Sequence, residues 1–322
     1  MKTILISGGA GYFGTVLTQK LLKNNKVIVY DALYFPWLYK NRKKISFSKR
    51  LFFIKKNIQD VSVGDFKNVD VVCDLNGISN DPSSELNLYN TWKTNYYGRV
   101  KFAKIAKKAG VKKYVFNSTC SVYGYSKNIV FENSNKAPIS TYAKANYKSE
   151  KKIFSLKSKK FIINILRNST LYGYSNTLRL DLVINIFVYN LVRKKKIIID
   201  GDGSQYRPFI SLNDVSKVYE ILLQKKYPSF ICNLVSFNST IRDIAKNVCK
   251  VLKINPKVIQ YKNNNPDKRN YFVGSKVFKK YFKNFIFSSF KEDILELKDL
   301  IKKNKEKISN KTIRMKFYKK LF

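Results

Sequence analysis

A glycine-rich stretch near the start of the chain limits the folds that are open to it. An apolar run at residues 4–6 leads directly into Ser7, Gly8, Gly9, Ala10, Gly11, Tyr12, Phe13 and Gly14. This order predicts a buried strand, a tight turn and the start of a helix. Glycines at 8, 11 and 14, or equally at 9, 11 and 14, permit positive φ and let a pyrophosphate approach bare backbone. The first helical amides would then donate to the phosphates.

An acidic residue follows at the spacing that a dinucleotide site requires. A second apolar run at residues 27–30 ends in Asp31, about 20 residues beyond the glycines. A carboxylate there accepts hydrogen bonds from the adenosine ribose and repels a 2′-phosphate. We therefore predict NAD as the cofactor in preference to NADP. The competing interpretation is a glycine turn that serves packing only.

The rest of the first half alternates predicted strands with helices. Strands are expected at residues 51–54 and 69–73 and from residue 114, and a long amphipathic helix at residues 86–109. This alternation predicts an α/β fold with a doubly wound parallel sheet, which binds ligands at the carboxyl ends of its strands. Residues 34–50 have no clean period, so we expect a loop beside the adenine.

Composition excludes several classes of protein. With 322 residues, 44% of them hydrophobic, the chain can bury a large core. No apolar run reaches the roughly 20 residues that cross a bilayer, and no export signal precedes the first strand, so we expect a cytoplasmic protein without a membrane span. The four cysteines form no CxxC pair and histidine is absent, which disfavours a zinc site or a disulfide framework.

The formal net charge of +42 has two interpretations. Lysine and arginine could form a patch for RNA or for a membrane surface, because such a field attracts polyanions. Alternatively, lysine replaces other polar residues over the whole surface. The second interpretation fits better, because lysines are spread through helices and loops, with local runs only at residues 194–196 and in the last 20 residues. Specific nucleic-acid binding is therefore not our prediction.

Later motifs, taken with the glycine turn and Asp31, resemble the extended short-chain dehydrogenase/reductase family, in particular its nucleotide-sugar epimerases and dehydratases. The resemblance covers roughly residues 1–305. It rests on Leu75-Asn76-Gly77, on Asn95, on Ser118-Thr119-Cys120-Ser121-Val122-Tyr123-Gly124, on Pro138-Ile139-Ser140-Thr141-Tyr142-Ala143, on Leu166-Arg167, on Leu171-Tyr172-Gly173, on Gly201-Asp202-Gly203, on Gln205, on Arg207-Pro208-Phe209, on Asp214-Val215 and on Asp267-Lys268-Arg269-Asn270-Tyr271.

The resemblance implies a domain organisation. It predicts a Rossmann-like NAD-binding domain over residues 1–170, to which later segments such as 205–235 return. A smaller, interleaved C-terminal α/β lobe over residues 171–305 would bind the substrate, and residues 306–322 would form a mobile basic tail. A homodimer through helices around residues 86–109 and 141–156 is also implied. The cofactor contacts implied by the motifs and the glycine turn are Gly8, Gly11, Tyr12, Phe13, Gly14, Asp31, Asn57, Ile58, Leu75, Asn76, Gly77, Asn95 and Tyr142.

The resemblance also implies a chemistry for two hydroxyls. Tyr142 matches the family's base, which takes a proton from a sugar hydroxyl while the hydride of the same carbon passes to the nicotinamide. Thr119 matches the Ser/Thr that relays this proton. The family lysine four residues after the tyrosine is replaced by Asn146. A cation about 4 Å from the phenolate contributes ~4 kcal/mol at an effective dielectric of about 20, or roughly three pKa units. We therefore expect a mostly protonated Tyr142, an Asn146 that bonds the ribose, and faster turnover in Asn146→Lys.

Two alternatives to this catalytic assignment stay open. A second Tyr-x-x-x-Lys exists at Tyr147 and Lys151, although it lacks the preceding Pro-x-Ser frame. Cys120 could act as a nucleophile or acid rather than as a small packed residue. The dehydratases carry an acidic residue just before Val-Tyr-Gly, where this chain has Cys120 and Ser121. The resemblance therefore favours C4 oxidation or 4-epimerisation of a nucleotide-diphosphate sugar, for surface polysaccharide synthesis.

The second half is expected to hold the substrate. Ser121, Arg179, Asn185, Arg207 and Arg269 are the substrate-binding residues that the resemblance implies, with guanidinium groups suited to a diphosphate. Each arginine could instead form a surface ion pair. A rival hypothesis keeps the fold and both ligands but takes Asn146 as the mark of a catalytically weak binding protein.

Overall fold

The computed structural model describes residues 1–193, 196–262 and 270–322. Its strands are β1 (Thr3–Ser7), β2 (Lys26–Asp31), β3 (Leu51–Lys55), β4 (Val71–Asp74), β5 (Lys113–Thr119), β6 (Ile129–Val130), β7 (Ile162–Asn168), β8 (Thr170–Tyr172), β9 (Ile197–Asp200), β10 (Tyr206–Ser211), β11 (Phe230–Leu234), β12 (Phe237–Thr240), β13 (Ile259–Lys262) and β14 (Phe272–Val273). Its α-helices are α1 (Tyr12–Leu22), α2 (Trp37–Lys40), α3 (Asp81–Ser84), α4 (Leu88–Trp92), α5 (Arg99–Lys108), α6 (Thr141–Phe154), α7 (Val183–Arg193), α8 (Leu212–Gln224), α9 (Ile241–Val251), α10 (Lys276–Tyr281), α11 (Phe290–Lys303) and α12 (Arg314–Leu321).

Seven parallel strands form the central sheet, in the order β11-β7-β5-β4-β1-β2-β3. Ile4, Leu5 and Ile6 of β1 are fully buried. Helices cover both faces of the sheet, so side chains that point to either face are apolar. The predicted Rossmann-like α/β fold is confirmed. The strand order reverses between β1 and β4, which places a ligand crevice at their carboxyl ends. The predicted strands lie within one or two residues of β3, β4 and β5.

The second half forms a smaller set of sheets. Strands β12, β10 and β8 make a three-stranded sheet, while β13 pairs with β9 and β14 with β6. The chain returns to the central sheet at β11, which pairs with β7. Helix α8 also returns, since the Tyr219 ring packs edge-on against that of Phe13 on α1 with centroids 5.3 Å apart.

The predicted long helix over residues 86–109 is interrupted. Between α4 and α5 the backbone forms a π-helical turn at Lys93–Gly98. A Cβ at Gly98 would come within 2.7 Å of the Ile58 side chain, so glycine lets the loop after β3 approach this turn. Residues 34–50, expected to be a loop, contain α2 and two short 3-10 turns.

The C-terminal segment also differs from expectation. Residues 306–322 do not extend away as a tail but end in α12, where Arg314 and Tyr318 are buried. The Phe317 ring lies 4.7 Å from that of Phe35, which follows β2. These aromatic contacts explain the ordered helix, and composition alone did not indicate their partner. Over the described ranges, every helix is too short or too polar to cross a membrane.

Candidate active site

A cleft of about 1090 Å³ opens at the carboxyl ends of the central strands. It lies where the strand order reverses, between β1 and β4. The structure brings most of the predicted site residues to its wall: Gly8, Gly11, Tyr12, Phe13, Gly14, Asp31, Asn57, Ile58, Leu75, Asn76, Gly77, Thr119, Ser121, Tyr142, Arg179 and Arg207.

The glycine turn forms a cradle that side chains would fill. Gly8 has φ +72°, and a Cβ there would come within 2.9 Å of the Asn76 amide nitrogen. A Cβ at Gly14 would come within 2.2 Å of the Gly8 carbonyl oxygen. These approaches explain the glycines at 8 and 14, and residues 11–14, where α1 begins, line the cleft. The cradle therefore fits a pyrophosphate.

The Asp31 carboxylate is held in a fixed orientation at the end of β2. One oxygen accepts the amide of Leu33 at 2.7 Å and the other accepts the amide of Ala10 at 3.1 Å. Burial raises the pKa of the Asp31 carboxyl above its ordinary value, and the two amide bonds oppose this. Each oxygen keeps a lone pair for a ligand hydroxyl, so the residue fits the adenosine ribose of a dinucleotide.

Asn95 was predicted to contact the cofactor, but the structure buries it behind the cleft wall. Its side-chain oxygen accepts the amide of Ile78 at 2.8 Å, and its side-chain nitrogen donates to the Ile78 carbonyl at 2.9 Å. The side chain is fully buried. Asn95 therefore holds the loop after β4, whose residues Leu75, Asn76 and Gly77 line the cleft.

Helix α6 presents Tyr142 to the cleft from its first turn. Ser140 caps the helix by accepting the Ala143 amide at 3.1 Å. Glu85 accepts the Thr141 amide at 2.7 Å, and Ser84 accepts that of Tyr142 at 3.1 Å. These bonds satisfy amides that have no partner within the helix. They also tie the start of the helix that carries Tyr142 to α3 and to Glu85, the residue that follows α3.

The two predicted catalytic hydroxyls meet in the structure. Thr119 ends β5, and its hydroxyl lies near enough to the Tyr142 phenol to favour the phenolate. Burial raises the pKa of Tyr142 above its ordinary value, and the Asp81 carboxylate adds to the rise. The Thr119 hydroxyl and the charges of Arg99 and Arg179 oppose the rise in the Tyr142 pKa. The phenol is therefore protonated near neutral pH in the ligand-free protein.

Asn146 lies one helical turn after Tyr142 but does not reach the cleft surface. Its side chain is 1% exposed. Its oxygen accepts Nη1 of Arg99 at 2.9 Å, and its nitrogen donates to the Tyr142 carbonyl at 2.8 Å. Because Asn146 is buried and does not line the cleft, the structure does not place it to make the expected hydrogen bond to a cofactor ribose. A cation that sequence reasoning missed thus lies directly behind the position of the family lysine.

The structure does not favour the two alternatives for the catalytic group. The Lys151 ammonium lies over the Tyr147 ring at 4.5 Å, and Tyr147 packs against a hydrophobic cluster that includes Val130 and Tyr271. Cys120 is buried with its thiol 3.2 Å from the Arg167 carbonyl, and burial raises the pKa of that thiol well above its ordinary value. Neither group is placed to exchange a proton in the cleft.

Arg179 lines the cleft and is already paired with a carboxylate. It makes a two-point ion pair with Asp181, at 3.0 and 2.9 Å. Its remaining nitrogen donates to Ser79 at 2.9 Å. The structure thus fixes this guanidinium in the wall, between the loop after β4 and the start of α7.

Arg207, on β10, lines the same cleft, where its guanidinium lies 5.6 Å from the centre of the Tyr271 ring. Its Nη1 donates to the Tyr206 carbonyl at 2.7 Å. Ser121, which follows Thr119, also lines the cleft. Arg269 lies outside the described residues.

Asn185 was predicted to bind substrate but is fully buried. Its oxygen accepts the Gly173 amide at 3.0 Å, and its nitrogen donates to the Tyr12 hydroxyl and the Arg179 carbonyl, each at 2.9 Å. The Tyr12 hydroxyl in turn donates to the Gly173 carbonyl at 2.7 Å. Asn185 therefore joins the glycine turn to the second lobe and positions Arg179.

Several cleft residues were not predicted from the sequence. Helix α12 contributes Arg314, Met315, Tyr318 and Leu321, and Phe322, which follows the helix, also lines the cleft. Arg314 stacks on the Phe35 ring at 3.5 Å and donates to the Thr177 carbonyl at 3.1 Å. Burial and the nearby Arg179 lower the pKa of Arg314 to about 10. The pattern of apolar and basic residues in α12 could have indicated a helix, but nothing in the sequence indicated where that helix docks.

Comparisons with known proteins agree with this geometry. The sequence profile of the NAD dependent epimerase/dehydratase family matches residues 4–233. The Bacillus subtilis (strain 168) protein named "Uncharacterized UDP-glucose epimerase YtcB" is 31% identical over 233 residues, which cover 70% of this chain and 73% of that protein. Homo sapiens dTDP-D-glucose 4,6-dehydratase is 28% identical over 262 residues, covering 78% and 74%.

Solved structures share the fold. UDP-glucuronic acid 4-epimerase from Bacillus cereus, solved with UDP-glucuronic acid and NAD, aligns with a TM-score of 0.83 at 23% identity. The alignment covers 94% of this chain and 99% of that one.

Proposed function

The chain belongs to the NAD dependent epimerase/dehydratase family, and from this premise we propose that it inverts C4 of a nucleotide-diphosphate sugar by reversible oxidation at that carbon. The family is one of NAD-dependent nucleotide-sugar enzymes. The observation that carries the proposal is that Thr119 and Tyr142 line the same cleft as the glycine cradle and Asp31.

The residues divide the reaction between them. Tyr142, as the phenolate, accepts the proton of the C4 hydroxyl, and the Thr119 hydroxyl bonds the same oxygen and relays the proton. The chemistry that bound NAD supplies is reversible acceptance of the C4 hydride. Once the resulting ketone presents its other face, the same chemistry run in reverse would restore the hydrogen at C4, and Tyr142 would return the proton to the oxygen. The product is the C4 epimer, and no net oxidation occurs.

The environment of Thr119 favours epimerisation over dehydration. Elimination of water needs a second acid or base beside Thr119, but the next two residues are Cys120 and Ser121. The Cys120 thiol is buried with a strongly raised pKa, and a serine hydroxyl does not titrate in the relevant range. A related protein named as a UDP-glucose epimerase supports the same choice.

Binding of the sugar nucleotide is assigned to the second lobe. Arg207 lines the cleft, and a guanidinium there suits a diphosphate. We also propose that the protein is a homodimer through the face around α4, where Leu88, Tyr89 and Tyr97 are exposed by 51%, 72% and 66%. Sugar nucleotides of this kind would serve as precursors for surface polysaccharide synthesis.

Product analysis tests the proposal. The NAD-loaded protein is incubated separately with UDP-glucose, UDP-glucuronic acid, UDP-N-acetylglucosamine and dTDP-glucose, and the products are identified by proton NMR. We expect a C4 epimer from at least one of them and none with Tyr142→Phe. A 4-keto-6-deoxy sugar would instead identify a dehydratase. Tight binding of NAD and a nucleotide sugar without any product would favour the non-catalytic binding protein.

A further inference from the structure

The position of the family lysine holds a buried side chain, Asn146, whose oxygen and nitrogen both have partners within the protein. Both ends of the Asn146 amide are bonded, to Arg99 and to the Tyr142 carbonyl. Asn146 is also uncharged, so it cannot itself favour the phenolate by electrostatic attraction. The nearest group with the missing charge is Arg99, on α5, whose Nη1 is 2.9 Å from the Asn146 oxygen.

Arg99 is fixed from several sides. Its Nε donates to the Asp74 carboxylate at 3.0 Å, and its Nη2 donates to the carbonyls of Asp74 and Asn117 at 3.0 and 2.9 Å. The guanidinium also lies 3.8 Å from the centre of the Phe116 ring. The residue is 2% exposed. A buried guanidinium with this many partners has one orientation, which is the condition for an electrostatic role.

The contacts of Arg99 join the three elements that carry the site. Asp74 ends β4, and its carboxylate also accepts the amide of Asn76, a cleft residue, at 3.2 Å. Asn117 lies on β5, two residues before Thr119. Asn146 lies on α6, one turn after Tyr142. A single cation beneath the floor of the cleft therefore fixes the relative positions of the strand ends and of the helix that carries the tyrosine.

We propose that Arg99 is a positioning residue of the reaction, which through Asn146 orients Tyr142 and supplies the positive charge that the family lysine would otherwise provide. The proposal rests on the proposed function in taking Tyr142 as the base. It assigns the charge to a helix other than the one that carries the tyrosine. It also revises the expectation that Asn146→Lys alone would accelerate the reaction, because a lysine there would lie beside a buried guanidinium.

The charges around Tyr142 set the sign and size of the effect. Asp81 raises the pKa of Tyr142, whereas Arg99 and Arg179 lower it. Glu85 binds the neighbouring Thr141 amide, and Asp74 partly neutralises Arg99. Removal of Arg99 should therefore raise the pKa of Tyr142 by about one unit, less than the roughly three units of an adjacent lysine.

The first test measures the Tyr142 pKa without any turnover. The phenol is titrated in the ligand-free protein by ultraviolet difference spectroscopy, with each variant compared against the same variant carrying Tyr142→Phe. Arg99→Met should raise the Tyr142 pKa by about one unit. Arg99→Lys keeps a positive charge and should change the Tyr142 pKa much less. Without Arg99, the Asp74 carboxylate still has two hydrogen-bond donors, Ser7 at 2.7 Å and Tyr114 at 2.8 Å. If Arg99→Met is nevertheless unstable, the double variant Arg99→Met/Asp74→Asn removes both buried charges together.

A matched control separates positioning from stability. Arg167 is also 2% exposed and makes a buried ion pair, with Glu150 at 2.7 Å. Arg167→Met should lower the melting temperature comparably but leave the Tyr142 pKa unchanged. If Arg99→Met also changes only the melting temperature, Arg99 is a structural residue and the proposal is wrong.

Restoring the charge on α6 completes the test. In the Arg99→Met background, Asn146→Lys should lower the Tyr142 pKa back to the value of the parent protein. It should also raise the rate near neutral pH about tenfold relative to Arg99→Met alone. In the parent background the same substitution should give no gain. An equal gain in both backgrounds would show that the charge was missing in the parent, which overturns the proposal. Failure of the proposed function itself would appear separately, as absence of turnover with these pKa changes intact.

Discussion

Replacing Asp31 by asparagine tests the cofactor side of the cleft without involving the chemistry. The substitution keeps the shape of the side chain and an oxygen that can accept one of the two amides now bonded, from Leu33 at 2.7 Å and Ala10 at 3.1 Å. It removes the charge that binds the ribose hydroxyls. Hydrogen bonds to a charged group contribute about 1.5–3 kcal/mol, so the dissociation constant for NAD should rise roughly 10- to 150-fold.

The same substitution should change the preference between cofactors. A carboxylate and a phosphate charge about 4 Å apart repel by ~4 kcal/mol at an effective dielectric of about 20, and Asp31→Asn removes this repulsion. NADP should therefore bind the variant more tightly than it binds the parent. The pKa of Asp31 is raised, so NAD affinity of the parent should fall as pH decreases through that pKa, because the carboxyl becomes protonated. The variant should lack this dependence.

Isothermal titration calorimetry with NAD and NADP over a pH series provides the measurement. Asp70→Asn is the matched control, since Asp70 likewise accepts a backbone amide, from Thr3 at 2.9 Å, but lies at the amino end of β4. It should leave both affinities unchanged. Equal dissociation constants for NAD and NADP in the parent, or an unchanged NAD affinity in Asp31→Asn, would refute the assignment of Asp31 to the ribose.

Three further predictions concern the base, the diphosphate and the C-terminal helix. Because burial and Asp81 raise the pKa of Tyr142, and the base must be deprotonated, the rate should rise with pH through the neutral range by up to about tenfold per unit, and a flat pH-rate profile would contradict this. Arg207→Ala and Arg269→Ala should each weaken binding of the nucleotide-diphosphate sugar by about 1.5–3 kcal/mol without changing NAD affinity, and calorimetry with unaltered sugar-nucleotide affinity would remove them from the site. Deletion of residues 306–322 should accelerate NAD release, because α12 lines the cleft, and an unchanged dissociation rate would show that the helix does not cover the cofactor.

The parts of the site that depend on local sequence were predictable. The glycine turn and Asp31 are adjacent in the chain to the strands that position them, and strand-end residues of a parallel sheet converge whatever the details of packing. Thr119 and Tyr142 each follow a local motif, and the structure brings both residues to the wall of one cleft.

The parts that depend on long-range packing were not predictable. Arg99 and Asn146 are 47 residues apart in the sequence and meet only when α5 and α6 pack together. Asn95 and Asn185 have side chains of a type that often binds ligands. Both are buried in the structure, and their amide groups bond to backbone partners instead. The docking of α12 depends on aromatic rings after β2, such as Phe35, which show no period in the sequence.

The path of the C4 hydrogen tests the central claim most directly. A nucleotide sugar carrying deuterium at C4, chosen from those that bind the protein, is incubated with the NAD-loaded enzyme, and the position of the label in the product is read by NMR. Reversible oxidation at one carbon predicts the C4 epimer with the deuterium retained at C4, and no product with Tyr142→Phe. Deuterium at C6 of a deoxy sugar, or loss of the label to solvent, would contradict the account.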